Sequence, residues 1–202
     1  MIETPPQSFT AFLGPNRLAS GRLAEVAIAV MKASKIAAAP SVIIFDDTNG
    51  RPVDLDLRGT ERDVVARLPQ PAPVPEAGVD HPAATEQRGR GRPKLGVVAR
   101  EVTLLPRHWD WLATQPGGAS VALRKLVEEA RRANGDRDRN RAARDAAYHF
   151  MSAMAGNLPG FEEASRALFA DDRRRFAGLI AGWPDDIRDH TVKLAFGDRA
   201  GC

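Results

Sequence analysis

This chain has a single cysteine and no long apolar run, and each scarcity excludes a class of protein. The only cysteine is Cys202, the last of 202 residues, so the chain offers no intramolecular disulfide and no CxxC zinc motif. Apolar stretches such as "AEVAIAV" and "SVIIF" are far shorter than the roughly 20 residues of a membrane-spanning helix. The opening "MIETPPQSFT" has neither a basic leader nor an apolar run, and we therefore expect a cytoplasmic protein without a membrane partner.

Motifs of known enzyme classes are also missing. Neither a nucleophile elbow nor a glycine-rich phosphate loop is present. The histidines lack the i, i+4 pairing of a zinc site: His81, His108, His149 and His190. We therefore predict no catalytic residue, no metal site and no cofactor, and the sequence indicates no particular small-molecule ligand.

One acidic cluster keeps an enzymatic alternative open. Four aspartates near a predicted hairpin could hold a divalent cation for phosphoryl transfer: Asp46, Asp47, Asp54 and Asp56. The stretch "IIFDDT" lacks the Asp-x-Asp spacing of haloacid-dehalogenase-like phosphatases. Alternation places Asp54 and Asp56 on the solvent face of a strand. A metal-dependent enzyme is therefore the weaker alternative.

Positive charge is concentrated in the middle of the chain. Residues 88–144 carry 14 Lys or Arg against 6 Asp or Glu, whereas the remaining residues carry 15 against 20. The net charge of +3 hides this uneven distribution. Such a block is typical of proteins that bind a polyanion, but a solvated linker followed by a charged helix has the same composition.

Residues 1–68 are predicted to form a small α/β unit. "SFTAFL" predicts a strand, and Ser20 is expected to cap a helix over residues 22–35. "SVIIFDD" and "RPVDLDLRG" predict a β-hairpin that turns at Asn49-Gly50, since both residues tolerate positive φ. Apolar and polar residues alternate in the second of these strands.

The rest of the chain is predicted to be mostly helical, which makes the fold class α+β. Thr60 and Asp63 resemble a capping box at the start of a short helix. A Pro-rich and basic linker over residues 69–95 precedes a strand-helix-helix segment over 96–135 and a helical region over 136–202. The C-terminal helices are expected over residues 141–155, 162–170 and 172–181 and after Pro184.

"RGRGRP" within the linker resembles the core of an AT-hook. In that motif an extended Arg-Gly-Arg-Pro lies in the narrow minor groove of A·T-rich DNA, where the negative potential attracts the guanidinium groups. The resemblance assigns the groove to Arg90, Gly91, Arg92 and Pro93, and the flanking phosphates to Arg88 and Lys94. The alternative is a basic linker that makes no contact with DNA.

"VAREVTLLPRHWDWLATQPGGASVALRKLVEEARR" resembles a ribbon-helix-helix DNA-binding domain. The matching features are a strand that ends at Pro106, a helix start "HWDWL", and a second helix that begins at Ser120 and ends at Asn134-Gly135. That fold pairs strands from two subunits in the major groove and holds a phosphate at the second helix. The resemblance implies a homodimer and DNA contacts by Arg100, Arg107, Ser120 and Arg124. The alternative is a helical hairpin with Trp109 and Trp111 in its core.

Nearly the whole chain resembles one bacterial family that is classed only as a domain of unknown function. The stretches "FTAFLG", "IIFDDTNGRPVDLDLRG" and "FMSAMAGNLPGFEEASRALF" carry this resemblance together with the central segment. The family implies no activity. From the residues we expect a non-catalytic DNA-binding or nucleoid-associated regulatory protein with duplex DNA as its partner. The alternative is a protein–protein adaptor or scaffold whose basic centre is a solvated linker.

Overall fold

A computed structural model describes residues 7–36, 41–69 and 100–197 of the chain, and its elements confirm the α+β class. The N-terminal elements are β1 Phe9–Leu13, β2 Asn16–Gly21, α1 Leu23–Ile36, β3 Val42–Asp46, β4 Arg51–Val53 and α2 Glu61–Arg67. The later elements are α3 Pro106–Ala113, α4 Gly118–Ala155, α5 Phe161–Phe169, α6 Arg173–Ile180 and α7 Asp185–Phe196. None of the described helices combines the length and the apolar character that crossing a bilayer requires.

The chain divides into two compact units. The first unit joins Met1–Pro69 to Gly135–Cys202, and the second is Gln70–Asn134. The sequence suggested separate N-terminal and C-terminal regions, whereas the structure gathers both into the first unit. The physical reason is a shared core, because Phe12 and Phe45 of the sheet lie in one cluster with Phe150 of α4.

The sheet of the first unit has four antiparallel strands in the order β2-β1-β3-β4. The predicted hairpin is confirmed: Asp46 pairs with Arg51, and Gly50 in the turn has φ +67°. Strand β4 ends at Val53, so the expected strand alternation through Asp54 and Asp56 is wrong.

Strand β2 was not expected from the sequence. Its stretch "NRLASG" is largely polar and only half of its residues are exposed, as an edge strand can be, and hydrophobic alternation does not reveal it. Ser20 lies in this strand, and its hydroxyl is 3.0 Å from the hydroxyl of Thr10. The prediction that Ser20 caps α1 is therefore wrong. Glu25 instead accepts a hydrogen bond from the backbone N–H of Arg22 just before the helix.

Both faces of the sheet are covered, which gives the first unit three layers. On one face Phe9, Ala11 and Ile44 pack with Val26 and Val30 of α1. On the other face lie helices from the C-terminal part of the chain, whose core includes Ala147, Phe150, Met151, Leu168, Phe176 and Ile180. A strand buried on both sides needs consecutive apolar residues, which explains the unbroken run "VIIF" in β3.

Helix α4 is continuous where two helices were predicted. The expected end at Asn134-Gly135 is wrong, because the helix continues to Ala155. The Asn134 side chain donates to the carbonyl of Ala130 at 2.9 Å instead of ending the helix. Oppositely charged side chains three residues apart support the next turns, as Arg141 and Asp138 do at 2.7 Å.

Two expectations for the strand-helix-helix segment also fail. Residues 100–105 form no strand, and the helix begins at Gly118, so Ser120 lies inside its first turn rather than at the N-cap. The short helix α3 begins at Pro106 as expected, since proline suits a first helical position. The Pro-rich linker and the AT-hook-like stretch lie outside the described residues.

The other short helices follow their predictions closely. Thr60 and Asp63 form the expected capping box at α2, in which each accepts a hydrogen bond from the other's backbone N–H. Helix α6 begins after Asp172, whose carboxylate accepts from the backbone N–H of Arg175. The last helix begins directly after Pro184.

Candidate functional site

Only four of the predicted DNA-contact residues lie in the described part of the chain. The other six belong to the AT-hook-like stretch outside it: Arg88, Arg90, Gly91, Arg92, Pro93 and Lys94. Arg100, Arg107, Ser120 and Arg124 are all exposed. Because Ser120 is not an N-cap, its expected role of holding a phosphate at a capped helix start has no support.

The exposed cations of the second unit differ in their partners. Arg131 and Arg132 lie 3.5 and 3.3 Å from the carboxylate of Glu128. Arg107, Arg124 and Lys125 form no ion pair with any residue that the structure describes. Their charges therefore remain available to an anion approaching from solvent.

The second unit also exposes large hydrophobic side chains. Between positions 100 and 134 only Leu112 and Ala122 are buried hydrophobic residues, whereas six large ones are exposed: Val102, Leu105, Trp109, Trp111, Leu126 and Val127. Trp109 is 42% and Trp111 51% exposed, so the alternative that places both tryptophans in a helical-hairpin core is wrong. Exposed aromatic and cationic side chains on one unit are typical of surfaces that bind another macromolecule.

In the acidic hairpin of the first unit, the carboxylate of Asp46 accepts hydrogen bonds from other protein groups. One carboxylate oxygen of Asp46 accepts from the backbone N–H of Thr48 at 2.8 Å. The other accepts from the side-chain amides of Gln7 and Asn49, each at 3.0 Å. Asp46 thus stabilises the turn that contains Asn49-Gly50. No group of three or more metal-ligating side chains occurs among the described residues.

Asp47, the next residue, forms a buried pair with His190 of α7. The distance from His190 Nε2 to Asp47 Oδ1 is 3.4 Å, and the two side chains are 0% and 8% exposed. Ser8 and Thr10 donate hydroxyl hydrogen bonds to Asp47 Oδ2 at 2.7 and 3.1 Å. Lys193 Nζ lies 3.8 Å from the same oxygen.

The electrostatics of this cluster favour an ionised carboxylate. Burial raises the pKa of Asp47, but the imidazole of His190 nearby, together with hydrogen bonds from the hydroxyls of Ser8 and Thr10, more than offsets it and holds the pKa below its usual value. The imidazole is also enclosed by aromatic rings, with centroids at 5.4 Å for Phe12 and 4.6 Å for Phe150. The imidazole has no exposed surface, so a substrate that approaches from solvent does not reach it.

Sequence reasoning missed the pair of Asp47 and His190 entirely. His190 stands alone in its helix, and the nearest pattern, the acidic hairpin, suggested a cation rather than an imidazole. No local spacing links two residues that meet only when α7 packs on the sheet. The one available signal was that His190 lies three residues after Ile187 and four before Leu194, on the apolar face of the helix.

Comparison with known proteins gives one family and no characterised relative. A family model described as "Uncharacterized protein conserved in bacteria (DUF2239)" matches residues 8–195. No curated protein and no solved structure matches the chain. The match covers both compact units, and it brings no activity with it.

Proposed function

We propose that this chain, which belongs to the uncharacterised bacterial family DUF2239, is a non-catalytic protein that binds duplex DNA. The surface that would carry the binding is the exposed basic part of the second unit. The stretch "RGRGRPK" precedes it in the sequence. Such binding serves nucleoid association or the regulation of a DNA site.

One observation carries the proposal: Arg107, Arg124 and Lys125 are exposed and form no ion pair with any described residue. Carboxylates in contact would weaken the attraction of such cations for phosphate. Guanidinium and ammonium groups that have no carboxylate partner bind phosphate oxygens and release the counterions condensed on DNA. The same unit exposes Trp109 and Trp111, aromatic side chains that also suit a macromolecular surface.

The occupied acidic hairpin supports the non-catalytic part of the proposal. Asp46 has its carboxylate engaged by three protein donors, and the Asp47 carboxylate is enclosed beside His190. A phosphoryl-transfer site needs carboxylate oxygens that face a cation and a substrate. Neither aspartate is arranged in that way.

The proposal is tested by an electrophoretic shift assay with the full chain on A·T-rich and G·C-rich duplexes. We expect Arg124→Ala/Lys125→Ala to weaken binding to both duplexes about equally, since phosphate contacts carry no sequence information. If the AT-hook resemblance holds, Arg90→Ala/Arg92→Ala should weaken binding more on the A·T-rich duplex.

A matched control removes two positive charges from the first unit. Arg174→Ala/Arg175→Ala changes exposed side chains of α6 and the net charge by the same amount, so it should leave affinity nearly unchanged. Equal losses in all three double variants would show a general charge effect and contradict the assignment of the surface. Absence of any shift with the unaltered chain would favour the adaptor alternative.

A further inference from the structure

Two aromatic side chains of the first unit lie side by side at its surface. Tyr148 of α4 is 36% and Phe169 of α5 is 49% exposed. Their ring centroids are 5.5 Å apart, and the ring planes are tilted by 57°. Phe161 stacks on Tyr148 with a centroid distance of 6.4 Å. Because neighbouring rings hold Tyr148 in place, the exposed parts of Tyr148 and Phe169 form a fixed aromatic platform.

Arginine side chains border this aromatic platform. Arg144 lies one helical turn before Tyr148, and its Nη1 is 3.4 Å from the carbonyl oxygen of Phe169. Arg51 Nη2 lies 3.3 Å from His149 Nε2. The rings of His149 and Tyr148 in turn have centroids 6.1 Å apart. The platform therefore has one guanidinium group beside Phe169 and another beyond His149.

The packing of the β3–β4 hairpin on α4 explains the position of Arg51. A Cβ on Gly50 would overlap the carbonyl oxygen of Ala146, so the turn lies directly against the helix. The next residue, Arg51, begins β4 and reaches His149 with its side chain. The side chains of Arg51 and Arg144 hydrogen-bond to this imidazole and to backbone carbonyls, and neither pairs with a carboxylate among the described residues.

We propose that this surface binds single-stranded nucleic acid. Unpaired bases stack on Tyr148 and Phe169, and the phosphates that flank them contact Arg144 and Arg51. Aromatic rings beside cations bind single strands in this way with little sequence preference. The site lies in the first unit, and single-strand binding there does not depend on duplex binding by the second unit.

The combination of exposed rings and cations selects this ligand. In a duplex the faces of the bases are stacked on each other, so a protein ring stacks on them only where the duplex is opened. An acidic peptide satisfies the cations but offers a flat ring only at its aromatic residues. A single strand presents a flat base and a phosphate at every nucleotide, which matches both parts of the surface.

The first test compares the full chain and its variants in binding a labelled oligodeoxyadenylate of about 15 nucleotides, by fluorescence anisotropy. Tyr148→Leu/Phe169→Leu should raise the dissociation constant at least about tenfold, because stacked bases lose their platform. Tyr148→Phe is the matched control, since it keeps the ring and should keep the affinity. Circular dichroism checks that each variant is folded. The affinity for the duplex of this strand with oligothymidylate should not change in either variant.

The second test concerns the cations. Arg144→Ala should weaken single-strand binding and reduce the slope of the log–log salt dependence by about 0.7, the value for one phosphate on a single strand. Arg22→Ala is the matched control, because Arg22 is exposed just before α1, the helix that covers the other face of the sheet. It should leave both the affinity and the slope nearly unchanged.

A third measurement needs no variant, since Tyr148 is the only tyrosine of the chain. Selective isotope labelling of tyrosine therefore gives one set of ring signals in an NMR spectrum. These signals should shift upfield when the oligodeoxyadenylate is added, because a stacked adenine places its ring current over the tyrosine. The duplex should leave them in place.

Four results would overturn the proposal. The unaltered chain could fail to bind the single strand at low salt, or Tyr148→Leu/Phe169→Leu could bind it as tightly as the unaltered chain does. Tyrosine signals that stay in place at saturating oligodeoxyadenylate would show that the strand binds elsewhere. Polyglutamate that competes as well as an unlabelled strand would show charge attraction without stacking. A chain that binds the single strand but not the duplex keeps this site and loses the proposed function.

Discussion

Replacing Gly50 with alanine is expected to destabilise the first unit much more than replacing Gly14. Each glycine lies in the turn of a β-hairpin and has a left-handed backbone conformation, with φ of +67° at Gly50 and +56° at Gly14. A Cβ on Gly50 would overlap the carbonyl oxygen of Ala146, whereas a Cβ on Gly14 would have nothing within 4 Å. The two positions therefore share the backbone requirement and differ in the close approach to α4.

The expected loss in the free energy of unfolding has two parts. A side chain in the left-handed region costs roughly 1–2 kcal/mol at either position. At Gly50 the hairpin must also move away from Ala146, because the atom in the way is backbone and cannot rotate aside. Forced overpacking of this kind costs about 1–3 kcal/mol more. Gly50→Ala should therefore lower the free energy of unfolding by about 2–5 kcal/mol, and Gly14→Ala by the first part alone.

Urea denaturation followed by tryptophan fluorescence measures this difference. Trp183 is 4% exposed in the first unit, so its emission should shift to longer wavelength when that unit unfolds. The exposed Trp109 and Trp111 supply a background that changes little. The midpoint of Gly50→Ala should fall well below that of Gly14→Ala at an unchanged slope. Equal midpoints for the two variants would refute the inferred approach of the hairpin to α4.

Two other predictions concern polar contacts of the first unit. Asp47→Asn should lower the free energy of unfolding by about 2 kcal/mol at neutral pH, because it removes the charged carboxylate that accepts hydrogen bonds from the hydroxyls of Ser8 and Thr10. Since folding lowers the pKa of Asp47, its contribution is complete above the unfolded pKa of about 4 and is lost as pH falls further. Urea midpoints of the two proteins should therefore converge below pH 4, and a constant gap would contradict the ionic account. Thr60→Ala should cost about 1 kcal/mol through loss of the capping box, whereas Thr60→Ser should cost much less in the same assay.

The parts of the fold that sequence predicts well depend on neighbouring residues. Asn49-Gly50 specifies a tight turn because both residues tolerate positive φ, and Thr60 with Asp63 satisfies the free N–H groups of a helix start. These requirements are met within four residues of chain. The hairpin and α2 therefore lie where the sequence placed them.

The parts of the fold that the sequence predicts wrongly or misses depend on tertiary contacts. The polar strand β2 forms because β1 offers it an open edge, and the stretch Asn16–Gly21 carries no hydrophobic alternation of its own. Helix α4 passes through Asn134 and Gly135, two residues of low helix propensity, where surrounding turns and ion pairs outweigh the local preference. No sequence spacing predicts the contact between Asp47 and His190, because the two residues lie in distant elements of the chain.

The salt dependence of duplex binding by the unaltered chain tests the proposed function most directly. The logarithm of the binding constant should fall linearly with the logarithm of salt concentration, by about 0.9 for each phosphate neutralised. If Arg88, Arg90, Arg92 and Lys94 each contact a phosphate, these four alone contribute a slope of about −3.6, and Arg124 and Lys125 make it steeper. A slope near zero, or no binding at low salt, would contradict the proposal that this chain binds DNA.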